Sequence, residues 1–376
     1  MLIGIDASHA LKPNRTGVEE YCYQIIQHLK KIIPAEHRVI LYCNSDKQLT
    51  INNEQSKLIS DLPSNWQMKV LPWPLKKLWS QTRLAVELLF HPPDVFFAPG
   101  QLIPWVVPKN TTVMLHDSAF KVFPEAYHFW GRNYLKLMNW WILRCAQKVL
   151  TSSKFNQQEL QRLYPWFDIG HSFVVPLAFD SARFTPGIPD QKHLARYGLA
   201  KPYFLFVGRL EEKKNVLLAI EAFTTIKKRH DVQLLLVGKP GVGYEKIALA
   251  IRNNPFKQDI ITPGFVPSEE MIELLRGAVA FIFPSRYEGF GLPILEAMDS
   301  GVPVIAAKQT ALMEVGADAA LFVPGEAAAW AKAMETLLTD SSMRSALIEK
   351  GSERAQQFSW EKTARETFAV IVKSPV

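Results

Sequence analysis

Short apolar runs recur along the whole chain, each closed by a polar or turn residue and followed by a segment of helical period. In the first half they are Leu2–Asp6, Val39–Cys43, Val95–Phe97, Val113–Asp117 and Lys148–Ser152. In the second half they are Tyr203–Gly208, Val232–Gly238, Ile260–Phe265, Val279–Pro284, Val302–Ala306 and Ala320–Val323. Runs this short and this apolar read as strands buried on both faces, and their alternation with helices makes the sheets parallel. Between the two series Pro176, Pro186, Gly187, Pro189 and Pro202 interrupt any regular element. The expectation is an α/β chain of two doubly wound, Rossmann-like parallel-sheet domains. The 376 residues allow two cores, of roughly 180 residues each. Two open sheets facing across a cleft would bind ligands beyond the carboxyl ends of their strands, so chemistry is to be sought in the loops that follow them.

Charge and cysteine usage narrow the classes. The formal net charge is +7, which suits phosphates, diphosphates or an anionic membrane surface. No cluster of Lys and Arg is dense enough to favour nucleic acid. Cys22, Cys43 and Cys145 are odd in number, far apart, and show no metal-ligand spacing, so free thiols in a reducing cytosol are expected. Asp6 follows directly on the first apolar run, which does not fit a signal peptide. No apolar stretch reaches the roughly 18 residues that would cross a bilayer. A cytoplasmic protein, or one peripheral at the inner face of the membrane, is expected.

The segment Phe281-Ile-Phe-Pro-Ser-Arg-Tyr-Glu288-Gly-Phe-Gly-Leu-Pro-Ile-Leu-Glu296 reads as strand, Gly-rich loop and helix. Pro293 suits a first helical turn and Gly301 the far end. Gly289 and Gly291 let backbone approach a ligand, and the helix start offers free N–H groups to a diphosphate. Glu288 and Glu296 could bracket that ligand. Alone, the pair would read sooner as a surface Glu and a helix Glu at an ordinary helix start. The loop Gly208-Arg209-Leu-Glu-Glu-Lys213-Lys214-Asn215 follows another strand, with Asn215 as an expected N-cap. Its Arg and Lys suit a diphosphate, because Arg can bind it bidentately and Lys neutralises it as a point charge. A solvated basic turn is the plainer alternative. Between these segments, Gly264-Phe265-Val266-Pro267 closes a third strand.

These strings together resemble the retaining glycosyltransferases of the two-domain GT-B architecture, specifically family GT4, which includes many bacterial mannosyl- and glucosyltransferases. EGFGLPILEAM followed by Gly301-Val-Pro-Val-Ile resembles its E-x7-E element. The resemblance implies that Glu288 lies by the transferred sugar and Glu296 binds the ribose diol, while the backbone of Phe290, Gly291 and Leu292 meets the donor diphosphate. It implies that Gly208, Arg209 and Lys214 belong to the diphosphate loop, with Lys213 as the fallback lysine. It places Phe265 and Val266 at the edge of the nucleotide base.

In the first half, Thr16 and Glu19 form a capping-box pattern for a helix through Lys31. The resemblance adds that Thr16 and Gly17 sit where the family's first loop closes over the donor phosphates. His116-Asp117 at a strand end, followed by Phe123-Pro124-Glu125, is similar to the motif whose His contacts the transferred sugar. A packed or capping histidine would look the same. Ser152-Ser153-Lys154 resembles another family loop and equally reads as an N-cap. Ser359, Trp360 and the helix after them are similar to the family's final helix, which crosses back to the first domain. The expected division is therefore 1–180, 181–357 and a crossing helix at 358–376.

Eight of the ten tryptophans lie before residue 170. Arg132, Lys136, Arg144 and Lys148 stand at multiples of four with Trp140 in the same row. On a helix this is either a solvated basic face beside buried tryptophans or a side that rests on an anionic membrane.

The function expected from the resemblance is retaining transfer of a mannose- or glucose-type hexose from a GDP- or UDP-sugar to a saccharide or lipid-linked acceptor, in surface polysaccharide synthesis. His116, Arg209, Lys214 and Glu288 would carry the chemistry. No Asp-x-Asp occurs, so neither a cofactor nor an obligatory metal is expected. The alternatives are a GT-B epimerase or phosphorylase, and a non-catalytic sugar-nucleotide-binding protein. A dinucleotide oxidoreductase fits less well, because Gly241-Val-Gly243 lacks a third glycine.

Overall fold

The computed structural model describes residues 1–12, 17–44, 58, 61–74 and 78–373, the side chain of Ser268 excepted. The chain divides into two compact units. The first comprises residues 1–121 and 129–177 together with the final helix Trp360–Val372; the second comprises residues 122–128 and 178–359.

The first unit is built on a seven-stranded sheet of β1 (Leu2–Asp6), β2 (Arg38–Cys43), β3 (Trp66–Val70), β4 (Val95–Ala98), β5 (Thr111–Leu115), β6 (Lys148–Thr151) and β7 (Ser172–Val174). Their order is β3-β2-β1-β4-β5-β6-β7 and every pairing is parallel. Central strands such as Val95-Phe-Phe-Ala98 and Thr111–Leu115 are buried throughout, as helices on both faces of a parallel sheet require. The helix Gly17–Ile32 shows why these segments are helical. It buries Tyr21, Cys22, Ile25, Ile26 and Leu29 at helical spacing, with Glu19 and Glu20 in its first turn and Lys30 and Lys31 in its last. The final helix packs on it, with Trp360 6.0 Å from the Tyr21 ring and 6.2 Å from His28.

In the second unit β8 (Tyr203–Val207), β9 (Gln233–Val237), β10 (Ile260–Gly264), β11 (Ala280–Phe283), β12 (Val304–Ala307) and β13 (Ala320–Val323) form a parallel sheet of order β10-β9-β8-β11-β12-β13. Phe206, Phe281 and Phe283 stack within its core at 5.6–6.1 Å. The chain order reverses between β8 and β11. That is the switch point where open α/β sheets hold ligands.

Four sequence expectations change. The run Val113–Asp117 is a strand only over Thr111–Leu115, so His116 and Asp117 lie in the loop beyond it. The first sheet has two strands that no apolar run announced, β3 and β7, and these are its two edges. The helix carrying the basic row spans Phe129–Cys145, so Lys148 is not on it. Lys148 instead begins β6, buried, with its ammonium donating to the Ile371 carbonyl at 3.2 Å and to Asn110 Oδ1 at 3.2 Å. Asn215 does not cap a helix with its side chain; it takes the left-handed conformation at φ 54° between the turn Glu212–Lys214 and the helix Val216–Lys227.

Candidate active site

Glycine ends or directly follows three adjacent strands of the second sheet, Gly208 after β8, Gly238 after β9 and Gly264 at the end of β10. Gly208 N–H donates to the Val237 carbonyl and Gly238 N–H to the Gly264 carbonyl, both at 2.9 Å. Gly238 has φ +148°, and a Cβ on it would lie 1.8 Å from the Gly208 oxygen. Only glycine fits, and the result is a carboxyl edge of bare backbone open to close approach by a ligand. Gly238 was not singled out from the sequence, since glycine after a strand is common in any α/β chain.

Lys214 and Glu288 meet at the switch point. Lys214 is carried by the loop after β8 and Glu288 by the loop after β11, and their side chains form an ion pair at 16% and 13% exposure. The Lys214 ammonium is also 5.2 Å from the centroid of Phe283, the last residue of β11. Lys213 turns elsewhere: its ammonium is 3.9 Å from Glu211, and its carbonyl accepts from the Arg286 amide at 2.9 Å. Arg209 is exposed, with its stem against Gly241, and among the described residues no ion pair holds its guanidinium.

Beyond Glu288 the helix Leu292–Asp299 starts at Gly291, which has φ +106°, with Pro293 in the first turn. Gly301 follows the helix at φ +75°. A Cβ on Gly291 would come within 2.6 Å of Leu312, so the loop that precedes the helix is pressed close to its neighbour. Glu296 lies one turn in, and burial pushes its carboxyl up to about 7, with Arg183 opposing the rise. Burial likewise raises Asp299 to about 6. The Phe290 ring is buried against Phe358 at 5.7 Å, so only its backbone is available to a ligand. Val266 is buried, whereas Phe265 is 65% exposed with the Lys239 ammonium 4.8 Å above its ring. Lys239 was not legible as a site residue; its place over Phe265 depends on β9 lying beside β10.

The remaining expected residues lie in the first unit. The His116 ring places Nε2 2.9 Å from the Pro99 carbonyl, and its edge meets Tyr21 at 4.9 Å. With Nε2 donating there, Nδ1 is the nitrogen left for other contacts. Burial lowers its pKa, so the ring is held neutral. The His116 amide donates to Gln101 Oε1 at 3.2 Å, and Asp117 accepts from the Ala119 amide at 3.0 Å. Gly17 opens its helix with open space at its Cβ position, whereas Thr16 lies outside the described residues. Glu19 accepts from Lys12 at 2.8 Å. Ser153 caps the helix Lys154–Leu163 by accepting from the Asn156 amide.

Two tandem sheets of Rossmann order, the second ending in this cationic, glycine-lined edge, are the GT-B architecture of nucleotide-sugar glycosyltransferases. The chain superposes on sucrose-phosphate synthase from Thermosynechococcus elongatus with a TM-score of 0.72 at 20% identity, over 98% of this chain and 97% of that one. It superposes on Anabaena Alr3699/HepE in complex with UDP and glucose with a TM-score of 0.71 at 18% identity, over 99% of each chain. The Glycosyltransferase Family 4 model matches residues 15–183 and the Glycosyl transferases group 1 model residues 191–354. O-antigen chain mannosyltransferase B of Escherichia coli is 31% identical over 301 residues, which is 78% of this chain and 76% of that protein. The chain belongs to the group 1, family 4 glycosyltransferases, and it is an enzyme of that class.

Proposed function

We propose that this enzyme is a retaining hexosyltransferase. It moves a mannose- or glucose-type sugar from a GDP- or UDP-sugar to a saccharide or lipid-linked acceptor in surface polysaccharide synthesis. The pairing of Lys214 with Glu288 at the switch point of the second sheet carries this reading. A donor diphosphate placed over the glycine edge would take Lys214 away from Glu288. That exchange frees the carboxylate to support the sugar near its anomeric carbon and leaves the ammonium on the departing diphosphate. Arg209 and the amides at the start of the helix Leu292–Asp299 would share the developing charge. Glu296 would accept from the ribose hydroxyls, Phe265 would flank the base, and His116 would meet the sugar from the first unit. The mannosyltransferase relative supports the choice of sugar and of pathway, and the UDP complex of the structural neighbour supports a nucleotide donor. No obligatory metal is proposed, because protein cations meet the diphosphate.

The test is a panel of nucleotide sugars scored by thermal stabilisation, since a ligand that binds only the native state raises the melting temperature by mass action. NMR of the product formed with the stabilising donor then reads the anomeric configuration. Stabilisation by GDP-mannose or UDP-glucose and a retained anomer are expected. An inverted anomer, or turnover without any acceptor, would displace this reading.

A further inference from the structure

The helix Phe129–Cys145 of the first unit has an outer face that ordinary solvation does not explain. Its inner face buries Met138, Asn139, Ile142 and Leu143. The opposite face should then be polar, yet Trp130 is 82% exposed, Phe129 60%, Leu137 47% and Trp140 44%. The helix carries Arg132, Lys136 and Arg144 and not one acidic residue. Cations and rings are interleaved: the Arg144 guanidinium lies 4.7 Å from the Trp166 ring and 5.9 Å from Trp140, and Arg132 lies 5.9 Å from Phe129. Trp105 extends the surface, standing 5.5 Å from Trp141, whose indole N–H donates to the Pro104 carbonyl at 2.9 Å. Asp168, close in sequence to Trp166, accepts from the Gly170 amide at 2.9 Å.

We propose that this face rests on an anionic lipid bilayer. Exposed indoles with their N–H groups suit the interface between headgroups and acyl chains, and a row of Arg and Lys with no ion-pair partner among the described residues suits anionic headgroups. Another exposed apolar pair in this unit, Leu89 and Phe90, has no such row among the described residues; there Lys69 and Arg83 are paired with Glu87. Placement gives the docking face a purpose. The loop after β4 touches the candidate acceptor side through Gln101, which bonds the His116 amide and the Asp117 carbonyl. Four residues later the same loop places Trp105 on the aromatic face. A membrane under that face would bring a lipid-linked acceptor to the carboxyl edge that holds His116, a purpose that rests on the glycosyltransferase reading, although the lipid contact itself does not.

The experiment is co-sedimentation of the full chain with phosphatidylcholine vesicles, with and without phosphatidylglycerol. It compares the parent with Trp130→Ser and with the double variant Lys136→Glu/Arg144→Glu. The parent should bind only the anionic vesicles, less tightly as salt rises. Each cation near such a surface contributes about fivefold to partitioning, so the charge-reversed variant should lose at least about tenfold. Trp130→Ser removes a side chain that touches solvent and should weaken binding several-fold with an unchanged melting temperature. A parent that ignores anionic vesicles, variants that bind as well as the parent, or a parent that self-associates while the variants stay monomeric would each overturn the proposal. Thermal stabilisation by nucleotide sugars is measured on the same samples. Vesicle binding without it would count against the enzymatic reading alone, and stabilisation without vesicle binding against the docking face alone.

Discussion

Glu288→Gln is the perturbation that best separates a working ion pair from a merely structural one. Lys214 is engaged by Glu288, with only 16% and 13% of the two side chains exposed. A nucleoside diphosphate must therefore compete with a carboxylate for the ammonium and must also sit beside that carboxylate's charge. Replacing Glu288 by Gln removes the competitor and the repulsion together. With charges a few ångströms apart in a half-dry site, the gain is about 1–2 kcal/mol once desolvation is set against Coulomb attraction. The variant should thus bind GDP or UDP about 5- to 30-fold more tightly by calorimetry, while turnover falls by about two orders of magnitude or more for want of the group beside the sugar. Lys214→Ala should do the opposite to binding and should also cut turnover by orders of magnitude. It strands the Glu288 carboxylate as well, which costs about 2 kcal/mol in urea unfolding. The double variant Lys214→Ala/Glu288→Gln should regain most of that stability without regaining affinity, leaving a coupling energy of about 1–2 kcal/mol in the cycle. Unchanged or weaker nucleotide binding by Glu288→Gln, or additive stabilities in the cycle, would refute the exchange of partners proposed for Lys214.

Other consequences can be measured independently. Gly238→Ala should lower stability by about 3 kcal/mol or more, or prevent soluble expression, because its Cβ would meet the Gly208 oxygen at 1.8 Å; a melting temperature within a few degrees of the parent would contradict that geometry. Burial holds the Glu296 carboxyl up at about 7, above the 4.5 of an ordinary glutamate. Stability should therefore fall as pH rises from 4.5 through 7, by up to about 3 kcal/mol. Glu296→Gln should flatten that decline in pH-dependent unfolding, and parallel curves would count against it. Donor affinity in the parent should rise about tenfold between roughly pH 6 and 8 as the ionised carboxylate becomes available to the ribose hydroxyls, and the Gln variant should not show this rise. Chelation with EDTA should leave turnover within about twofold if protein cations meet the diphosphate, as the leaving-group reading requires.

The sheets were legible because central parallel strands are apolar on both faces, as in Val95–Ala98 and Tyr203–Val207. The edge strands of the first sheet, β3 and β7, give no such signal. Trp66-Gln-Met-Lys-Val70 buries only its first residue, and Ser172–Val174 has three residues. Spacing by four carried the basic row on to Lys148 because periodicity does not record that a helix has stopped; the carbonyl that Lys148 meets is 223 positions away. Residue type marked Asn215 as a cap, and its left-handed backbone, which Asn tolerates better than most residues, turned out to be what the position needs. The E-x7-E and Gly208–Asn215 strings pointed to the loops after β11 and β8, and Lys214 and Glu288 pair there. Their meeting was not legible, since Lys214 and Glu288 are 74 positions apart and are joined only by the adjacency of β8 and β11.

The return of the chain to its first unit bears on the order in which the protein can be finished. Residues 178–359 form most of the second unit in one continuous stretch, while the first awaits the helix Trp360–Val372. At about 5–20 residues per second, that stretch occupies a ribosome for roughly ten to forty seconds. Throughout that interval the seat that Trp360 takes beside Tyr21 and His28 is open, and Lys148 and the Pro176 carbonyl lack the partners supplied by Ile371 and Thr363. The half of the molecule that is translated first is therefore the half that closes last, and a nascent chain stalled near residue 359 would show chaperones an incomplete first unit beside a nearly finished second one.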